Sequence, residues 1–358
     1  MKDKFLFLFV LCVMVSATFF LMACEPEEEE NDSYQFAYFY AIPSQESLRL
    51  EVPGADYDGD DYGYKAVGDQ AKHYTETVQF TRNVNHHILG MLSIIDDVTS
   101  YPYSEQSGDT YIWGPWQDTG LDQTKARFIL EHLGGNTFDY QLQWRLKDSD
   151  SDDDWVTIWE GHVEASEETA RRGVGYFNID FDAAATLDWT TEERGQIRTD
   201  YDTVSDGREI SLEYINFIGN SEGEGEDAQP INAIYLYHNR ADNSGSFLFE
   251  WYADLFNEEA DDNQIEHAWF NTRWQPDGAG RTDSIIGEGD ISDMMPIPDL
   301  PNVVVDSFRS TECWGTDYLR TYFGEGATLS NGSEFSNPDE IEGTISDCVF
   351  DEELPDAK

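Results

Sequence analysis

The chain has 358 residues, 73 acidic against 21 basic, for a formal charge of −52 at neutral pH. Only seven of the basic residues are lysine, and the whole balance repels phosphate backbones, which argues against nucleic acid as a partner. The acids are spread along the sequence instead of forming one patch, as in a solvated surface suited to a salty medium, while aromatics at 14% supply what a core needs.

Lys2 and Lys4 precede an apolar stretch over residues 5–23. A basic start, an apolar middle and small residues at its end predict a secretory signal peptide, residues 1–23. Leu21-Met22-Ala23-Cys24 resembles the lipobox of bacterial lipoproteins, in which the cysteine thiol is acylated and becomes the new N-terminus. The resemblance implies lipidation, palmitate included, at Cys24, because several acyl chains together hold a protein stably to a membrane. Residues 24–33 are nearly all acidic and polar, and read as a solvated tether. Glu25 stands where aspartate resembles an inner-membrane retention signal, so the expected place is the outer membrane, on its periplasmic face or at the cell surface. Residues 34–358 read as a single β-rich domain.

Cys12 leaves with the signal, and Cys24 is used by the anchor. Cys313 and Cys348 remain, an even pair in an oxidising compartment, where a disulfide is the expected outcome. The alternative, two ligands of a metal site, lacks a CxxC motif and a neighbouring histidine.

Along the domain, one helix is predicted near residues 76–99. Val84, Ile88, Met91, Ile95 and Val98 fall in steps of three and four, and Leu92 and Ile94 widen the stripe. Tyr101-Pro102 ends it, since the residue before proline avoids helical dihedrals. Gly90, inside the stripe, is expected to permit close approach of a neighbour.

Beyond Trp113 nearly everything reads as β. Phe138, Tyr140, Leu142, Trp144 and Leu146 alternate with polar residues, and the acidic run 148–154 is the tip of a hairpin leading to Val156 and Ile158. Further strands are predicted at 126–133, 174–181, 209–218, 231–238, 247–252, 267–274 and 303–308. A weaker amphipathic segment, 183–194, reads as a short helix or loop. No fixed-period repeat and no long linker divides the chain, although 294–302, with three prolines, makes a rigid connection. The expected fold class is mainly β (α+β): a large curved or closed antiparallel sheet packed on one long N-terminal helix, because so long a sheet must protect its edges and its apolar face.

The stretches VQFTRNVNHHILGMLSIIDDVTSYP, WGPW, TKARFIL, ECWGTDYLRTYF and SDCVF resemble a family of envelope lipoproteins from myxobacteria and related Gram-negative bacteria. That family carries no assigned activity, ligand or catalytic residue. The resemblance therefore implies a lipoprotein with a helix, a sheet and a C-terminal cysteine pair, and nothing about chemistry.

Gly219-Asn220-Ser221-Glu222-Gly223 fits G-x-S-x-G, which makes Ser221 a weak catalytic candidate. A nucleophile elbow needs a helix directly after the serine, and here glycines and acids follow instead. His86 and His87 are adjacent and point about 100° apart on a helix, so they do not share an ion; His86 is expected to cap or pack and His87 to face solvent. The other histidines (73, 132, 162, 238, 267) read as isolated. Asp56, Asp58 and Asp60 are weak calcium candidates, with glycine out of place for an EF-hand loop, and 148–154 is a second acidic cluster. The tryptophans read as core sooner than as sugar platforms. No cofactor is expected.

The leading functional expectation is a non-catalytic cell-envelope lipoprotein whose β domain either packs fully around its helix or holds an apolar ligand between helix and sheet, with a membrane as partner through its anchor. The alternatives are a carbohydrate-active or other hydrolytic lipoprotein, and a surface adhesion or interaction module.

Overall fold

The computed structural model describes residues 41–55, 70–116, 123–187, 193–205, 207–219, 230–253, 266–287, 305–329, 333–336 and 341–350. The predicted signal, Cys24, the tether, Asp56, Asp58, Asp60, Ser221 and the proline-rich 294–302 lie outside the described residues. Among the described residues there are three α-helices, α1 (Gln45–Leu48), α2 (Lys72–Thr99) and α3 (Phe181–Ala185). The first eight strands are β1 (Glu105–Ser107), β2 (Thr110–Trp116), β3 (Thr124–Gly134), β4 (Thr137–Leu146), β5 (Val156–Ala165), β6 (Gly173–Asp180), β7 (Arg194–Asp202) and β8 (Arg208–Ile218). The remainder are β9 (Ile231–Asn239), β10 (Gly245–Ala253), β11 (Glu266–Trp274), β12 (Gly280–Gly287), β13 (Val305–Trp314), β14 (Arg320–Leu329), β15 (Glu334–Ser336) and β16 (Glu342–Gly343).

These strands form one open sheet whose order follows the sequence from β1 to β15, with β16 beside β14. The chain is thus mostly β with one long helix near its N-terminal region, but the expectation of closure is corrected: β1 and β15 end the order and do not pair. Both edges are three residues long and acidic, Glu105-Gln106-Ser107 and Glu334-Phe335-Ser336. Short charged edges offer little unpaired backbone to another chain, so the sheet does not need closure for protection.

The described residues divide into two compact units. Those within Met1–Leu48, His87–Asp200 and Asn216–Ala228 make the first, and those within Arg49–His86, Tyr201–Ile215 and Gln229–Lys358 the second.

In the first unit an aromatic row crosses β2 to β6. Trp113 lies 5.6 Å from Phe128, Phe128 lies 6.4 Å from Trp159, and Trp159 lies 5.8 Å from Phe177 and stacks on Tyr140 at 4.7 Å. Each such ring, fully buried, contributes about 1.5–3 kcal/mol. Gly161 is paired with Tyr140 across the strands, and a Cβ there would come within 2.2 Å of the tyrosine ring. The glycine therefore makes room for the ring.

Strand β4 keeps its predicted alternation as far as Leu142. There β5 carries one extra residue, Ile158, so that Ile158 and Trp159 are both buried. Beyond the bulge Trp144 is half-buried and Leu146 exposed, while Arg145, on the opposite face, is buried. Trp155 explains the reversal: the guanidiniums of Arg127 and Arg145 lie over its ring at 4.3 and 4.5 Å and cover that face. Of the segment 183–194, read as a short helix or loop, residues 188–192 lie outside the described residues; its start belongs to α3, capped by Asp180, which accepts from the Ala183 N–H at 2.8 Å, and Arg194 begins β7.

Helix α2 starts four residues before its predicted start. Its first turns bury His73, Thr77 and Thr81, polar residues that an apolar count passes over. Val84, Ile88, Leu92 and Ile95 continue the buried stripe, whereas Met91 and Val98 are half-buried. Gly90 is exposed with open space around it, so the expected close approach is corrected.

In the second unit one row of side chains runs across the strands on the face toward α2. Register pairs Tyr235 with Phe249, Phe249 with Phe270, Phe270 with Ser284, Ser284 with Ser310, and Ser310 with Glu325. The row begins aromatic and ends in hydroxyls and a carboxylate. Phe80 of α2 covers the aromatic part, 4.3 Å from Phe249 and 5.7 Å from Phe270. On the opposite face Arg281 and Asp283 are buried and the C-terminal segment covers them. The Arg281 guanidinium donates to the Phe350 carbonyl at 2.7 Å, and Cys313 and Cys348 form a disulfide.

Candidate functional site

The point where the row changes from aromatic to polar is where helix α2 begins. Its N-terminal N–H groups lack intrahelical partners. The backbone N–H of His73 donates to the carboxylate of Glu312, a fully buried residue of β13 whose other oxygen accepts from Arg320 Nε at 2.6 Å. A carboxylate is well placed there, since the helix N-terminus carries partial positive charge. Thr77 adds a second tie, its hydroxyl 2.7 Å from that of Thr272, which is itself 2.8 Å from Thr282.

This anchorage fixes His73. Its ring is buried, edge-on to Phe270 at 5.2 Å. Nε2 lies 2.7 Å from the Ser310 hydroxyl, and Nδ1 lies 2.7 Å from Glu76 Oε2, one turn along the helix. Ser310 Oγ is in turn 2.6 Å from Ser284 Oγ. Burial alone would raise the Glu76 pKa; the hydrogen bond and charge of His73, with Lys72 nearby, overcome it and hold the carboxyl below its ordinary value. An ionised Glu76 accepts from Nδ1–H, and in the neutral ring Nε2 is then the acceptor for the Ser310 O–H. Hydroxyl, imidazole and carboxylate in that sequence and at those distances are the nucleophile, base and orienting group of serine-type acyl transfer.

The reading of His73 as isolated is therefore corrected. Three of the other six histidines also meet carboxylates: His162 meets Asp139 at 2.5 Å, His267 meets Glu250 at 2.6 Å, and His238 lies 3.6 Å from Glu209. A histidine–carboxylate pair is thus common in so acidic a chain. His73 differs in having a serine hydroxyl on its second nitrogen. His132 instead stacks on Phe138 at 4.8 Å. His86 and His87 are half-buried; burial lowers the His86 pKa, and His87 packs 6.0 Å from Phe217, which corrects its expected exposure to solvent.

Two further sequence candidates resolve plainly. The acidic tip at 148–154 turns on its own cations: Asp152 lies 3.4 Å from Arg145, Asp150 lies 3.9 Å from Lys125, and Asp154 bonds the Ser149 hydroxyl. Among the described residues, no three of His, Cys, Asp and Glu cluster so as to hold a metal ion. Trp159, Trp274 and Trp314 are core residues, as read from the sequence. A depression of about 340 Å³ lies elsewhere in the second unit, lined by Arg240, Asp242, Arg273, Trp274 and Phe350 among others.

The fold and site together define an open antiparallel β protein in which His73 and Glu76 of helix α2 meet Ser310 of strand β13. Compared with family models, with curated proteins and with solved structures, the chain matches none.

Proposed function

We propose that this chain is a lipid-anchored protein of the Gram-negative cell envelope, held through Cys24 to the outer membrane and displaying its β domain beyond the acidic tether. The observation that carries the reading is Leu21-Met22-Ala23-Cys24 at the end of an apolar stretch, followed at once by Glu25. The Cys313–Cys348 pair supports it, because such bonds persist in oxidising compartments outside the cytoplasm. Among the described residues no helix is long and apolar enough to cross a membrane.

The displayed domain takes an apolar ligand on the α2-facing surface of the second unit. Beside the row that contains Ser310 runs another, Ala268–Ile286–Phe308–Ala327, in which Ile286 and Phe308 are half-exposed. Phe80 fills the neighbouring place over Phe249 and Phe270, so the ligand belongs on Ile286 and Phe308. Cells fed an alkyne fatty acid test the anchor. Incorporation into the parent protein and none into Cys24→Ala is expected; equal labelling of both removes the anchor.

A further inference from the structure

We propose that Ser310 is a catalytic nucleophile toward uncharged carboxylic esters with an apolar acyl part. His73 is its general base, and Glu76 is the residue that positions His73. The substrate class rests on the ligand reading above; the array itself does not depend on the anchor.

Three observations carry the assignment. The hydrogen-bond chain is complete, with Ser284 Oγ, Ser310 Oγ, His73 Nε2–Nδ1 and Glu76 joined at 2.6, 2.7 and 2.7 Å; with Glu76 ionised and the ring neutral, both hydroxyls donate toward His73. Ser310 is half-buried and so remains approachable, while His73 is buried and held by its backbone N–H on Glu312 and its ring on Phe270. The third observation sets the substrate. Glu325 is the register partner of Ser310, in a chain of charge −52, so an anionic substrate is repelled. Ile286 and Phe308 offer an apolar surface to an acyl group on the other side.

In the reaction, Ser310 Oγ attacks the ester carbonyl carbon as its proton passes to His73 Nε2. The Ser284 hydroxyl is the neutral donor beside the oxyanion that forms. The bond to the alcohol oxygen breaks, the alcohol leaves with the proton from His73, and the acyl group is now esterified to Ser310. Water attacks that carbon and gives its proton to His73. The bond to Ser310 Oγ then breaks, the proton returns to the serine, and the carboxylic acid departs.

The test treats the full lipidated chain, in detergent micelles, with an alkyl fluorophosphonate. Mass spectrometry of the tryptic peptide that begins at Ser310 then locates any adduct. One adduct on Ser310 is expected, formed about a hundredfold more slowly or worse in His73→Asn. Ser221→Ala is expected to label like the parent. Glu76→Gln should shift the pH of half-maximal labelling, which a merely structural residue would not do, and Glu76→Asp should restore it. Absence of the Ser310 adduct in the parent protein, or undiminished labelling of folded His73→Asn, overturns the proposal. Binding of the neutral probe N-phenyl-1-naphthylamine, weakened by Ile286→Asp, separates the two readings. Probe binding without an adduct sinks the nucleophile and leaves the ligand surface standing; neither binding nor adduct sinks both.

Discussion

Arg281 and Asp283, two residues apart on β12, form an ion pair inside the protein: the guanidinium meets the carboxylate three times, at 2.8 to 2.9 Å, and Asp283 is fully buried. Thr311 donates to the same carboxylate at 2.7 Å, and Arg273 approaches within 3.5 Å. A buried pair is a weak source of net stability, but removal of one partner leaves the other charge uncompensated. Asp283→Ala should therefore lower stability to chemical denaturation by about 3–5 kcal/mol. Asp152→Ala, which breaks the pair of Arg145 with a mostly exposed aspartate, should cost at most about 1 kcal/mol.

The disulfide joins cysteines 35 positions apart and fastens the segment that covers Arg281. Replacement of Cys313 and Cys348 by serine should cost about 3–4 kcal/mol on the chain-entropy account. Calorimetry of the double variant measures this, and free thiols in the untreated parent would contradict the pairing.

Gly161 carries a precise expectation, because the Tyr140 ring lies over it. Gly161→Ala must push that ring off the stack with Trp159, at a cost of about 1–3 kcal/mol. Gly90→Ala, in open space on α2, should instead stabilise the helix by about 0.5–1 kcal/mol. The two melting temperatures, measured side by side, should move in opposite directions.

Glu76 has a lowered pKa in the folded state, so its contribution is present above the unfolded carboxylate range, near 4.5, and is lost as pH falls through the folded value. The parent should exceed Glu76→Gln by about 0.5 kcal/mol between pH 5 and 6, where Glu76 is ionised. The gap should shrink below pH 4.5; a gap that widens there would contradict the assigned charge state.

The parts of this fold that the sequence disclosed are those where apolar residues keep a period. Phe138, Tyr140 and Leu142 announced β4, and Val84, Ile88 and Ile95 announced the second half of α2. The parts that stayed hidden bury polar groups against partners far along the chain. Strand β7 turns Gly195, Ile197, Thr199 and Tyr201 inward, a true alternation that glycine and threonine disguise. Strand β12 buries Arg281, Thr282 and Asp283 in succession and looks like a loop by hydropathy. The array was hidden for the same reason. His73 and Glu76 stand three apart, a helical spacing that a longer predicted helix would have exposed, but Ser310 lies 237 residues from His73 and only the strand pairing brings it there.

The proposed anchor at Cys24 is tested most directly by the intact mass of protein purified from its own membranes. A chain that begins at Cys24 and carries the mass of its acyl groups is the result predicted. A chain that retains Met1, or one cut elsewhere and free of lipid, would contradict it.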